Sequence, residues 1–153
     1  MTTLDKEAAR GIVRRFAGAR IVVAGDVMLD RFIWGQVERI SPEAPVPVVR
    51  VSKESTRLGG AANVAANLAR LGADVFLVGI VGADAAGAQL RDAMGEAGIG
   101  SGLVEDPARI TTVKTRIIAR AQQVVRVDRE HEAEPSATTS DEAASTVLGA
   151  LAG

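Results

Sequence analysis

Two aspartates four residues apart, Asp26 and Asp30 in "VVAGDVMLD" (residues 22–30), are well placed to hold an oxygen-rich ligand. So are Gly59, Gly60 and Asn63 in "RLGGAANVAANLARLG" (residues 57–72). Ionised carboxylates accept strong hydrogen bonds from sugar hydroxyls. Glycines just ahead of a helix let an oxygen reach free backbone N–H groups without meeting a Cβ, and the partial positive charge of the helix start favours that oxygen. An asparagine amide in the first turn both donates and accepts. Each residue also has an ordinary structural role: the aspartates form turns and caps, and the glycines make a turn before a closely packed alanine helix.

A second set consists of donors. Lys114 and Arg116 lie two apart on one strand face, Arg126 falls on the next strand, and Gln122 and Gln123 are near the turn between them. Such a group suits a phosphate carried by the ligand, although alternating charges on a strand also describe a solvated face. Arg50 and Arg70 are further cations in reserve. His131, the only histidine, sits among Glu130, Glu132 and Glu134 and reads as part of a solvated linker rather than a general base. Established phosphate loops are excluded: there is no G-x-x-x-x-G-K-[ST], and "GIGSG" at 98–102 has the wrong spacing for a dinucleotide fingerprint. The absence of cysteine removes disulfides and thiolate metal sites, and no metal ligand set is identified.

The elements that must position these residues alternate between helix and strand. Leu4, Ala8, Ile12 and Phe16 predict an amphipathic helix over 4–17, ended by Gly18. "RIVVAGD" predicts a fully buried strand, and Asp26 and Asp30 fall just beyond its carboxyl end, where open parallel sheets bind ligands. Residues 32–58 hold three of the five prolines and read as a small antiparallel excursion, with Pro45 and Pro47 permitting only an edge strand or an irregular lid. A helix over 61–71 should turn Ala65, Leu68 and Leu71 to the sheet and present Asn63, Asn67 and Arg70 as a polar stripe. "DVFLVGIVG" predicts a second buried strand, completing a right-handed parallel unit with the first. A helix over 85–97 follows, then a hairpin in "RITTVKTRIIARAQQVVRVDRE" turning about Gln122 and Gln123. After the polar linker "EHEAEPSATTSDE", Thr139 and Glu142 predict a capping box for a helix over 140–151 bearing Val147, Leu148 and Leu151. No strand follows it, so the parallel sheet reads as unfinished, with an open edge and little for that helix to cover.

Composition narrows the function classes. The 153 residues make one domain, and 18 basic against 19 acidic residues leave a net charge of −1, without the excess that nucleic-acid partners require. The longest apolar run, Val75 to Ala83, is well short of the ~18 residues of a membrane span, and the charged N-terminus has no secretory signal. A soluble cytoplasmic protein with a small-molecule ligand is expected.

Taken together, "GDVMLD", the pair Gly59-Gly60 with Asn63, Ala65 and Gly72, and the G-x-D-x-x-G of Gly82, Asp84 and Gly87 resemble the N-terminal half of the ribokinase-type (PfkB) carbohydrate kinases. "FIWGQVERISPEAPVPVVRV" and "TTVKTRIIARAQQVVRVD" are most similar to the heptose 7-phosphate kinases of that family, often the first domain of a bifunctional kinase and adenylyltransferase in lipopolysaccharide synthesis. The resemblance runs from about Arg20 to Asp128. It implies an α/β fold, a Rossmann-type parallel sheet with a small antiparallel β lid, cut after its N-terminal half. It also implies transfer of the ATP γ-phosphoryl group, with Mg²⁺, to the anomeric oxygen of heptose 7-phosphate, giving the 1,7-bisphosphate used for ADP-heptose. Asp30, Gly59, Gly60 and Asn63 match the family's sugar-binding positions, with Asp26 beside them. Lys114, Arg116, Gln123 and Arg126 are the candidates for the substrate phosphate. The lid implies a homodimer through Trp34, Val46, Val48 and Val49, which also read as an ordinary small hydrophobic cluster. The family's catalytic aspartate, in a G-A-G-D type motif, and most ATP contacts belong to a second half that has no counterpart in these residues. The expected function is therefore the sugar-binding half of such a kinase, inactive alone. The alternatives are a non-catalytic sugar-phosphate-binding or dimerisation module, and a kinase for another sugar such as fructose 6-phosphate or ribose.

Overall fold

A computed structural model describes residues 5–153. In chain order the elements are α1 (Lys6–Arg14), β1 (Arg20–Ala24), β2 (Val27–Ile40), β3 (Pro47–Gly60), α2 (Ala61–Arg70), β4 (Asp74–Gly82), α3 (Ala85–Glu96), β5 (Gly100–Asp106), β6 (Thr112–Ala119), β7 (Gln122–Arg129) and α4 (Ala137–Ala152). Two sheets result. One is parallel, in the order β1-β4-β5, and the other has the order β3-β2-β6-β7. In the second sheet β2 runs antiparallel to β3 and parallel to β6, which forms an antiparallel hairpin with β7.

The hairpin β2–β3 is longer than the excursion expected from the prolines. It begins at Val27 and ends at Gly60, so Asp30 and the glycine pair lie within it. Pro47 opens β3 at the sheet edge, where a missing N–H leaves no rung unpaired. Val27 and Leu29 at the start of β2 turn into a core shared with Ala62 and Ala65 of α2, Leu77 and Val81 of β4, Leu90 and Met94 of α3, and Val113 of β6. Alanines on α2 let that helix lie close to both sheets.

Several expectations need correction. Strand β1 is half-buried rather than fully buried, because among the described residues β4 is its only partner and its other edge is unpaired. Strand β5 was not anticipated, since "GSGLVED" has neither alternation nor a β-branched run; pairing with β4 defines it. The β6–β7 turn falls on Arg120 and Ala121, both with left-handed φ (51° and 64°), so Gln122 and Gln123 open β7 instead of forming the turn. Helix α1 starts after Asp5, which accepts from the N–H groups of Glu7 and Ala8; Leu4 lies outside the described residues. Its apolar stripe of Ile12, Val13 and Phe16 remains exposed. Leu71 is 46% exposed because it caps α2 beyond the last turn facing the core.

Helix α4 begins inside the polar stretch, capped by Ser136 rather than Thr139. Thr139 donates its N–H to Ser136 Oγ (3.1 Å) and its hydroxyl to the buried Asp106 carboxylate (3.1 Å). The helix lies along the parallel sheet with Val147 half-buried, while Leu148 and Leu151 point outward.

The G-x-D-x-x-G segment joins the two sheets. Asp84 caps α3 by accepting from Gly87 N–H (2.8 Å) and also accepts from Thr111 N–H (2.9 Å) just ahead of β6. The Thr111 hydroxyl accepts from Gly82 N–H (2.9 Å). A Cβ on Gly82 would stand 2.5 Å from the Arg109 carbonyl oxygen, and one on Gly87 2.6 Å from that of Gly82, so both must lack a side chain. Burial pushes the Asp84 pKa up, but the backbone donors of Gly87 and Thr111 outweigh it and hold the carboxyl below its ordinary value. A lowered folded pKa means stability fully present above the ordinary carboxylate range and lost as pH falls through the lowered value. Asp84→Ala should cost about 1 kcal/mol near neutrality, from the lost cap, and flatten the acid limb of a stability-versus-pH curve measured by urea unfolding. An unchanged acid limb counts against the latch.

Candidate functional site

The site grows from the join between β3 and α2. Gly60 adopts φ +57° and supplies no side-chain cap to α2, and the Asp26 carbonyl accepts the Ala61 N–H (2.8 Å). A Cβ on Gly60 would collide with that carbonyl oxygen. A Cβ on Gly59 would lie 2.8 Å from Asp30 Oδ2 and 2.8 Å from Met28 Cγ. Both glycines are thus required by oxygens of the chain itself: the Asp26 carbonyl rests on one and the Asp30 carboxylate on the other.

Asp30 sits on β2 opposite Arg57 of β3 and Lys114 of β6. It forms an ion pair with Arg116, and the two side chains are 22% and 25% exposed. Phe32, two residues along the same face, carries the Arg57 and Arg116 guanidinium carbons, each 5.4 Å from its ring centroid. Trp34 stacks on Phe32 at 5.6 Å between centroids, and Lys53 lies 5.4 Å from the Trp34 ring. This face therefore alternates rings with cations around the partly buried Asp30 carboxylate.

The expected phosphate group divides into two parts. Lys114 donates to Asp128 (3.2 Å) and Glu130 (3.0 Å), and Arg126 donates to Asp128 (2.9 Å). The Glu130 hydrogen bond, with Asp128 alongside, keeps the Lys114 pKa above its ordinary value against the opposing effect of burial. Burial pushes Asp128 up, yet Arg126 and Lys114 bring its carboxyl below the usual value. These four side chains form a closed ion-pair network. Arg116 is held apart from it by Asp30, and Gln123 is exposed near the start of β7 opposite Ile118.

A cleft of about 550 Å³ opens at the carboxyl ends of β1 and β4. Asp26, Lys114 and His131 line it, whereas Asp30, Gly59, Gly60 and Asn63 do not. Asn63 is exposed in the first turn of α2, two residues beyond the first helical position. Asp26 and Asp30, read together from sequence, accordingly face two adjoining regions: the cleft, and the aromatic and cationic sheet face. Phe32 and Arg57 were absent from the sequence reading. Period-two alternation puts Phe32 on the Asp30 face of β2 and Arg57 on the Gly59 face of β3, but only the register shows that the two faces are one.

Residues 19–150 match the pfkB family of carbohydrate kinases. A D-beta-D-heptose 7-phosphate kinase of Bordetella bronchiseptica is 55% identical over 123 residues, covering 80% of this chain and 39% of the relative. A bifunctional protein HldE of Caulobacter vibrioides is 58% identical over 125 residues, covering 81% of this chain and 26% of its own length. This chain thus spans well under half of either relative. Among solved structures, a carbohydrate kinase from Agrobacterium tumefaciens superimposes with a TM-score of 0.60 at 27% identity, over 72% of this chain and 35% of that one. A ribokinase from Giardia lamblia has the same fold at 21% identity, with a TM-score of 0.57 over 72% of this chain and 36% of that one.

Gly59→Ala places a methyl group against the Asp30 carboxylate and Met28, and should lower stability by about 1–3 kcal/mol. Asp30→Ala in the same background should recover part of that loss, a non-additivity readable from thermal unfolding of the single and double variants. Strictly additive effects contradict the contact.

Proposed function

Because the chain belongs to the pfkB family of carbohydrate kinases, we propose that it is the sugar-binding part of an ATP-dependent heptose 7-phosphate kinase serving ADP-heptose and lipopolysaccharide core synthesis. The observation that carries this reading is the Asp30 carboxylate seated on Gly59 beside Arg116. A carboxylate accepts sugar hydroxyls, a guanidinium recognises a phosphate, and a sugar phosphate needs both. The names of the Bordetella and Caulobacter relatives support heptose 7-phosphate as that sugar. Fructose 6-phosphate and ribose remain the competing substrates, since side chains at the hydroxyl contacts, and not the fold, choose the sugar.

In this reading Asp30 orients the sugar through its hydroxyls. Gly59 leaves room for that carboxylate, and Asn63 adds an amide at the first turn of α2. The cleft beside Asp26 admits the reacting end of the sugar. ATP and Mg²⁺ supply the transferred phosphoryl group and charge neutralisation in such kinases. The described residues contain no cluster of three or more metal-ligating side chains, and no G-A-G-D segment occurs in the sequence. No nucleotide or metal contact is identified among the described residues, so no transfer step is assigned to them. These residues bind and orient; phosphoryl transfer also requires charge stabilisation and a positioned base.

Phosphorus NMR of the chain with heptose 7-phosphate, ATP and Mg²⁺ should give a saturable shift of the sugar phosphate signal and no anomeric phosphate. Formation of the 1,7-bisphosphate would show that a base lies within these 153 residues. Absence of any shift would reject the sugar-phosphate reading.

The same lid supports a homodimer. Ile40, Val46 and Val51 are about half exposed near the tip of the β2–β3 hairpin, with Val48 and Val49 half-buried beside them, whereas Trp34 is engaged with Phe32 and Lys53. Light scattering should give twice the chain mass, and Val46→Asp should shift it to the monomer. A monomeric parent chain would reject the lid as a dimer surface.

A further inference from the structure

The charges on the β2 face are not equivalent. Lys114 and Arg126 are offset by Asp128 and Glu130, two positive against two negative, so that network carries no net charge. Next to it, Arg57, Arg116 and Asp30 sum to +1, because Arg57 has no ion-pair partner among the described residues. Arg57 and Arg116 come from β3 and β6, the two strands that flank β2, and both guanidinium groups are held over Phe32. Contact with the ring orders two flexible side chains without neutralising them.

We infer that Arg57 and Arg116, held on the Phe32 ring, form the clamp for the phosphate group of the sugar phosphate, and that Lys114 and Arg126 do not. Arg57 is thereby a binding residue that recognises the substrate's own phosphate.

The clamp and the sugar site share Asp30. With no ligand, Arg116 neutralises that carboxylate. A sugar hydroxyl that donates to Asp30 Oδ1 displaces the Arg116 bond there and leaves Arg116 needing an anion. Arg57 stands directly across the strand pair from Asp30, with Cβ atoms roughly 5 Å apart at such a position. A phosphate on the same small molecule meets two guanidinium forks there, a geometry that planar cations satisfy and ammonium groups do not. A sugar without a phosphate leaves Arg116 without a partner, so the exchange favours phosphorylated over free sugars. The Lys114 network offers no comparable gain, since an anion there must first displace Asp128 or Glu130.

The role given to Asp30 rests on the sugar-kinase reading, and the test separates the two ideas. Affinities for heptose 7-phosphate, free heptose and inorganic phosphate are measured by calorimetry on the whole chain for the parent, Arg57→Gln, Arg57→Lys and Lys114→Gln. Arg57 is exposed on an edge strand, so its variants should stay folded, with an unfolding temperature lowered by no more than the lost ring contact accounts for. Arg57→Gln should weaken heptose 7-phosphate about ten- to a hundredfold and leave free heptose unchanged. Arg57→Lys should fall between, and Lys114→Gln should retain the preference for the phosphorylated sugar. Equal loss for both sugars in Arg57→Gln, no loss for either, or loss of the preference in Lys114→Gln would each overturn the clamp. If neither sugar binds the parent, the sugar reading fails, and inorganic phosphate then decides the clamp: binding lost in Arg57→Gln supports it, and binding unaffected by Arg57→Gln overturns it.

Discussion

The close approach of β2 to the join between β3 and α2 is the constraint on which the rest of the structure depends. The Asp26 carbonyl reaches Ala61 N–H only because Gly60 has a left-handed backbone and no side chain. That hydrogen bond starts α2 at the sheet instead of away from it. It also brings Val27 and Leu29 onto Ala62 and Ala65, the centre of the core. The next residue on the other face, Asp30, is held over Gly59 by the same approach. One backbone contact therefore places both the buried apolar side and the charged, exposed side of β2, since alternate residues of a strand point opposite ways.

The energetics of the charged face follow from its partial exposure. The Asp30–Arg116 pair keeps about a quarter of each side chain in solvent, so it escapes part of the desolvation that makes fully buried ion pairs costly. Each exposed cation over a ring adds about 0.5–1 kcal/mol. Such interactions are strong enough to order side chains and weak enough to be exchanged for a ligand. The Lys114 network is closed by its own carboxylates, and its contribution is to hold β6 and β7 together where β7 is exposed along its length.

A second junction keeps the two sheets in a fixed relation. Asp84 and Thr111 tie the end of β4 and the start of α3 to the residues that lead into β6. Because β6 carries Lys114 and Arg116, the geometry of the charged face is coupled to a hydrogen-bond set at the start of that strand. The glycines of G-x-D-x-x-G take part through what they exclude: any Cβ at Gly82 or Gly87 would fill the space that the backbone of this latch occupies.

By itself the sequence determined the alternation of elements and the residues able to do chemistry. The helices near 61–71 and 85–97, the buried strand at 74–82 and the β6–β7 hairpin were legible because their periodicity is local. The pairing of Asp30 with the glycine motif was legible as a resemblance, and the latch glycines as part of the same pattern. Tertiary structure alone decided the rest. Strand β5 exists through its partner, the half-burial of β1 through its lack of a second one, and the turn at Arg120 and Ala121 through strand register that outweighs the preference for glycine there. Which cations are free was also beyond the sequence. Lys114, Arg116 and Arg126 look alike in a strand, but neutralisation depends on which carboxylate lies across the sheet, and Arg57 joins Phe32 and Asp30 only once the register of the β2–β3 hairpin is set. Local pattern specifies what a residue is and which way it points; register, a long-range property, decides what it meets.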